Sequence, residues 1–409
     1  MAVDSATLST ASGILKEVYQ PGIVDQINNP NALMAEVEKT SKDIIEGKYA
    51  VIALRMGVSQ GIGARAELGT LPSAQRTLVV QSRALLKFLY GVIRVSGPFL
   101  ESSRTDRASF IRGLRSESEG ITEAMKLDLN RQLYGDGSGQ VAVCGVSGPS
   151  LTVTLDADAN MLYFEEGMIV DIRTSATGTA VANGTNREVV SINVTAKTIT
   201  LDTAGGTVTV TAAESVYRAG NRNNEITGLG LIVSDTGTLQ NVDPTVSGNT
   251  RWKARVNSAF GVLTLAKIQD EFDRVHDASG EWVSHLFSNK GPRNKYLELL
   301  NADRRYMPQE ATKTLNGGFK GLSYTGGGTE AVWVKDPYSP DRKIFGVTMK
   351  RLEWRRLKDF EFMEVGGSAW LPDIYGASAA DAYKAVLASY AELITTRRNA
   401  HFRADAVTV

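Results

Sequence analysis

Few side chains in this sequence are of a type and spacing that could do chemistry. The three histidines are His276, His285 and His401. The first two stand nine residues apart across an expected helix end, which is no metal-ligand spacing. No Ser-His-Asp or Cys-His arrangement can be assembled around any of the three. The single cysteine, Cys144, has no base beside it, and one cysteine excludes both an intrachain disulfide and a cysteine-based zinc site. Asp156-Ala-Asp-Ala-Asn160 opens like a calcium loop, but the turn position that requires glycine is Met161 and the bidentate glutamate position is Gly167, so it reads as a polar turn. The glycines Gly57, Gly61, Gly63 and Gly69 lack the third dinucleotide glycine and the helix that must follow it. Gly326-Gly-Gly328 has no Lys-Ser/Thr behind it and reads as a turn. The residues therefore nominate no catalytic group, no metal site and no cofactor. The densest basic run, Lys350 to Lys358, encloses Trp354, a pattern that can stack on nucleic acid. Asp359, Glu361 and Glu364 follow at once, however, and pairing within or between chains is the favoured reading.

With 409 residues the chain can bury two or three cores, and at 42% hydrophobic and 22% charged it is expected to fold. Lys+Arg and Asp+Glu are both 45, a balance that argues against a protein built mainly to grip phosphates. The first ten residues have neither the basic nor the apolar region of a secretory signal, and no 18 apolar residues run together. The expectation is a soluble protein made in a reducing cytoplasm.

Residues 1–45 mix short helical pieces (Ala11 to Tyr19, Asn31 to Lys39) with breakers, and neither piece is long enough to stand alone. They read as an arm that must lie on something. Residues 46–100 follow, with β-prone runs between Lys48 and Pro98 around the Gly-rich stretch Gly57 to Gly69. This predicts a long two-stranded excursion with an irregular tip. Such a hairpin is marginal by itself, and its edges invite another chain, so it is expected to rest on a neighbouring copy. Residues 101–144 hold the clearest helix, Asp106 to Leu133. Its apolar stripe is Phe110, Leu114, Ile121, Met125, Leu129 and Leu133, interrupted only by Ser118. Its 28 residues make a rod of roughly 40 Å.

From 145 to 225 the composition changes. Leu151-Thr-Val-Thr-Leu, Met168-Ile-Val-Asp-Ile, Arg187-Glu-Val-Val-Ser-Ile, Lys197-Thr-Ile-Thr-Leu and Thr207-Val-Thr-Val are short β-prone runs between turn residues, predicting an inserted all-β module. Residues 226–375 return to mixed structure. They contain a helix marked by Leu265, Ile268, Phe272 and Val275 that ends at Gly280, and another beginning near Pro292. Strands are expected around Ala331, Ile344 and Phe360. The last segment fits helix and strand periodicity equally well. The fold class is α+β.

This order of elements resembles the Hong Kong 97-type capsid fold of tailed double-stranded-DNA phages: N-terminal arm, E-loop, spine helix, peripheral (P) domain and axial (A) domain. The pieces that carry the likeness are the arm, the hairpin and the helix ending in Tyr134-Gly-Asp-Gly. Ile226-Thr-Gly-Leu-Gly-Leu-Ile-Val and Tyr390-Ala-Glu-Leu-Ile-Thr-Thr-Arg-Arg-Asn-Ala are also similar to such capsid sequences. The resemblance implies that 226–375 is the A domain with its P-domain connections and that 376–409 is a C-terminal P-domain segment. It implies a non-enzymatic major capsid protein forming hexamers and pentamers of an icosahedral head, with expansion from procapsid to mature shell. Implied partners are further copies of itself, portal and scaffolding proteins, a decoration protein, and packaged DNA touched without sequence specificity. Assembly would occur in the host bacterial cytoplasm, with no membrane involved. The alternatives are an encapsulin-type nanocompartment shell and a β-rich tail or adhesion protein.

The charges at the hairpin, Arg65, Glu67 and Arg76 together with Arg55 and Arg83, are the candidate intersubunit contacts. Some capsid proteins of this kind crosslink an E-loop lysine to a neighbour's asparagine. Here no lysine lies between Lys48 and Lys87, and arginine stays protonated and cannot attack. Assembled particles boiled in denaturant should therefore run as one band of monomer size on a gel. A ladder of linked subunits would refute a purely non-covalent shell.

Overall fold

A computed structural model describes residues 32–38, 49–98, 107–304, 322–326, 329–364, 366, 368–373 and 381–408. The expected helix Ala11 to Tyr19, the expected helix start at Asp106 and the side chains of Phe110 and Leu114 lie outside the described residues.

Part of the arm finds its support at home. Ala32–Glu38 is a helix whose Leu33, Met34 and Val37 are buried in the chain's own core. The Leu33 N–H donates to the Asp336 carboxylate at 3.2 Å. The surface this piece must lie on is the chain's own body: three apolar residues spaced for one helical face join Trp354 and Leu129 in one core.

The 46–100 excursion also divides. Tyr49–Arg55 and Val79–Leu85 pair as an antiparallel hairpin, from Tyr49↔Leu85 to Arg55↔Val79. Lys87–Ser96 instead belongs to the body, pairing along its whole length with Ala382–Thr395. That 14-residue strand settles the ambiguous C-terminal segment. On its other side run Leu352–Phe362 and the short strand Leu371–Pro372. The long helix Arg107–Gln132 lies across this sheet. Their approach is so close that a Cβ at Gly91 would stand 2.5 Å from the Met125 sulfur and 2.8 Å from Ile121, so any larger residue would force those side chains to shift. Ile93 and Val95 continue the face beneath the helix. This inward face is why the strand leaves the hairpin and joins the body.

A mixed six-stranded sheet forms a second layer, in the order Arg255–Asn257, Phe402–Ala404, Ile344–Val347, His285–Ser288, Thr329–Lys335, Leu322–Gly326. The helices Leu265–Ser279 and Lys290–Arg304 accompany it. The first is capped at Thr264, whose hydroxyl accepts from the Lys267 N–H, and ends on left-handed Gly280. Phe272, Leu286, Trp333 and Phe402 are buried in the core of this layer.

Strands from Gln140 to Arg218 enclose a separate core of Val153, Val170, Ile172, Val189, Ile199 and Val216. All five β-prone runs are strands. Gln140–Val143, Ser147–Ser150 and Glu214–Arg218 add to them, so β structure begins before the expected boundary at 145. Polar contacts tie this body to the rest. Arg131 at the end of the long helix bridges Asp128 and Glu225, and Asp128 also meets Arg218. Burial pushes the Asp128 carboxyl up, but these two cations hold it below the ordinary carboxylate range.

One buried cation fixes the loop between the layers. Arg398 is fully buried and donates to the carbonyls of Leu231, Ile232, Thr236, Gly237 and Trp252, at 2.7 to 3.4 Å. Burial pulls its guanidinium down to about 10, so it stays charged at neutral pH. Arg398→Met should leave the acceptors on buried Ile232 and Trp252 unsatisfied and cost about 3 kcal/mol or more. The check is a lower urea midpoint with an unchanged m value, and a loss under about 1 kcal/mol would show that water replaces the guanidinium.

Candidate assembly surfaces

The hairpin alternates strictly. Leu54, Ser82 and Ala84 point inward, while Val51, Arg55, Val79, Arg83 and Leu85 point to solvent. Its root sits on the loop that Arg398 holds. The Arg83 N–H donates to the Gln240 carbonyl at 2.8 Å, and the Ser82 hydroxyl to the Gln240 side chain at 2.7 Å. Beyond Met56 and Leu78 the two chains part into the irregular tip, held by local bonds such as Ser59 hydroxyl to Gln75 carbonyl at 2.6 Å. Ile62, Leu68 and Leu71 there are 79%, 103% and 82% exposed. Leu68 also has a left-handed backbone, φ 63°, which costs a residue with a Cβ on the order of 1 kcal/mol. Large apolar residues grouped in water on an extended segment are the kind of surface that contacts use.

All five candidate contact residues, Arg55, Arg65, Glu67, Arg76 and Arg83, are exposed on this hairpin. Arg65 folds over its own turn, donating to the Thr70 carbonyl at 2.8 Å and the Ala64 carbonyl at 3.0 Å. Arg83 donates to Gln81 at 3.0 Å. Among the described residues none of the five forms an ion pair. The hairpin thus carries four arginines against one glutamate, a basic arm on a neutral chain.

A second surface was missed in the sequence. Phe88, Tyr90 and Val92 stand on the face of Lys87–Ser96 away from the long helix, and all three are exposed. Tyr390 lies beside them, its ring edge-on to Phe88 at 5.1 Å and near Tyr90 at 6.0 Å. The signal was there: Phe88 to Val95 is almost continuously apolar, the pattern of a strand covered on both faces, not on one.

The other candidates take structural roles. The basic run is largely neutralised within the chain: Arg356 pairs with Asp359 at 2.7 Å, Arg355 with Glu353, and Arg351 and Lys350 reach Glu281, which Arg397 also holds. Hydrogen bonds from Arg351, aided by these charges, hold the Glu281 carboxyl down to about 2. Trp354 is core. His401 is fully buried. It accepts from the Thr348 N–H at 3.2 Å and contacts the Thr395 hydroxyl at 3.1 Å, and burial depresses it to about 3, so it is neutral. His276 stacks on Trp282 at 4.0 Å. Cys144 is buried and its thiol is pushed up to about 12, the opposite of an activated nucleophile. Asn160 caps the turn Met161–Tyr163 and reaches the carbonyls of Pro337 and Ser339. No group of three or more metal-ligating side chains converges among the described residues.

No family model matches the sequence, and no curated protein matches it. Solved structures do match in fold. The capsid asymmetric unit of cyanophage A-1(L) aligns over 99% of this chain and 100% of its own, at TM-score 0.62 and 11% identity. The capsid of a native GTA particle aligns over 99% and 100%, at TM-score 0.49 and 10% identity. The SrpI encapsulin of Synechococcus elongatus aligns over 100% and 96%, at TM-score 0.45 and 10% identity. Of these three, the first carries the fold assignment: this chain has the α+β fold of that phage capsid protein across its length.

If the hairpin tip is a contact surface, Ile62→Asp, Leu68→Asp and Leu71→Asp together should change the stability of the dissociated chain by less than about 0.5 kcal/mol per site. The same variant should fail to form particles in sedimentation. Particles that still assemble normally would show that the tip's apolar residues serve no contact.

Proposed function

We propose that this chain is the major capsid protein of a tailed double-stranded-DNA phage, forming hexamers and pentamers of an icosahedral head. The observation that carries the reading is the end-to-end fold match with the cyanophage capsid protein. The exposed apolar hairpin and sheet face support it, because a closed symmetric assembly supplies every copy with the surface each one lacks. Burial of that apolar area, at roughly 25 cal/mol per Å², drives association. Exposed charge pairs made by Arg55, Arg65, Glu67, Arg76 and Arg83 contribute about 0–1 kcal/mol each and set register more than strength.

In this reading the sheet under the long helix is the P domain, and the six-stranded sheet belongs to the A domain at the capsomer centre. The β-rich body from about 140 to 218 is an insertion that adds contacts on the shell. A hairpin that swings on its root would let the contacts persist while the lattice expands around packaged DNA. Portal and scaffolding proteins, and a decoration protein, are the further partners of such a shell. Assembly would take place in the host cell and the product would be part of the virion. Among the described residues no helix is long and apolar enough to cross a membrane.

Electron microscopy of the expressed protein should show closed round shells of hexamers and pentamers, and particles from an infected culture should hold nuclease-protected genomic DNA. A stable monomer, or fibres, would overturn the proposal. Shells filled with one enzyme and no genome would instead favour a nanocompartment.

A further inference from the structure

The hairpin leaves the body at Leu86, the one residue between the hairpin strand Val79–Leu85 and the sheet strand Lys87–Ser96. Against this joint lies a cavity of about 240 Å³, lined by Arg83, Leu85, Lys87, Thr227, Gln240 and Glu392. Glu392 is 4% exposed and accepts the Thr227 N–H at 2.8 Å. Lys87, the cation at the joint, does not pair with it. Its amine donates to the Asn223 carbonyl at 2.7 Å. The Gln240 amide nitrogen beside the cavity is buried without a hydrogen-bond partner.

The charged groups around Glu392 fall into two kinds. Arg355, opposite it in the sheet register, is held by Glu353, and Glu225 is taken by Arg131. The loop Thr238 to Asn241 brings no charge. Arg83 on the hairpin strand and Lys87, the first residue of the sheet strand beyond the joint, make no ion pair among the described residues. A carboxylate formed at Glu392 therefore has its available cations on the two sides of the joint at Leu86.

We propose that Glu392 is a proton-controlled latch at the hairpin root. Protonated, it leaves Lys87 on the Asn223 carbonyl and the hairpin in the direction described here. On losing its proton to solvent it draws the Lys87 amine into the cavity, re-seats the joint at Leu86 and redirects the hairpin. Burial supports this by pushing the carboxyl up to about 8, against the pull of the Thr227 N–H and the Lys87 charge, so both states are populated near neutral pH. The sign is fixed. The folded value lies above the ordinary 4.5, so the neutral arrangement is fully stabilising below that value and is lost as pH rises through about 8. The latch is a property of one chain, and only its consequence, a change in which neighbour the hairpin reaches, rests on the assembly reading.

Hydrogen exchange of the full-length protein, compared at about pH 6.5 and about pH 9 after correction for intrinsic exchange, tests the latch. In the wild type, protection across 79–87 should change by about threefold or more, with a midpoint near 8. Glu392→Gln should keep the low-pH pattern at both values, and Lys87→Met should lose the transition at the same midpoint. An unchanging wild type, or a transition that survives in either variant, overturns the latch. If Glu392→Gln does not fold, the lysine variant decides alone. Shells that form without the transition would sink the latch and spare the assembly reading; a transition without shells would do the reverse.

Discussion

Arg398 is surrounded by protein on every side, and its hydrogen bonds go to five backbone carbonyls of the segment from Leu231 to Trp252. That segment has no helix or strand ladder of its own beyond the short helix Leu229–Ile232. The carbonyls of Ile232 and Trp252 are on buried residues, and there the guanidinium substitutes for missing secondary structure. The hairpin rests on this segment through Gln240, and the core residues Leu239, Val242 and Trp252 come from it. A position near the C-terminus thus fixes the seat of an element near the N-terminus.

The molecule is asymmetric in how it spends its apolar residues. Inside, three clusters are well covered, down to a glycine that lets the long helix touch the sheet. Outside, the hairpin tip and the outer face of the strand Lys87–Ser96 are left in water. Charges follow a complementary rule. The basic run at 350–358 is satisfied internally, whereas the hairpin's arginines have no acidic partner among the described residues. In the proposed shell this distribution would supply both register and burial.

Much of this was legible in the sequence because its causes are local. The long helix followed from one apolar stripe at steps of three and four, the five strands of the β-rich body from short β-branched runs between turn residues, and the cap at Gly280 from a glycine after a helical pattern. The scarcity and spacing of His and Cys left no catalytic or metal-binding arrangement to nominate from the sequence. The order of these elements along the chain was enough to suggest the fold, and the exposed positions of the five hairpin charges agree with their polar side chains.

What remained undecided has pairing partners far away in sequence. Ala382–Thr395 fits either periodicity alone and is a strand because Lys87–Ser96 and Leu352–Phe362 flank it. The same pairing takes Lys87–Ser96 out of the excursion and shortens the free hairpin to 49–85. Local pattern could not distinguish an arginine that caps five carbonyls from one on the surface, nor a histidine in the core from one in solvent, because burial is set by residues hundreds of positions apart. The sequence by itself determined the elements whose periodicity is strong and local, the long helix, the capped helix before Gly280 and the short strands of the β-rich body. Only the tertiary structure decided which apolar faces meet within the chain and which are left for a partner, since that depends on long-range contacts no local pattern encodes.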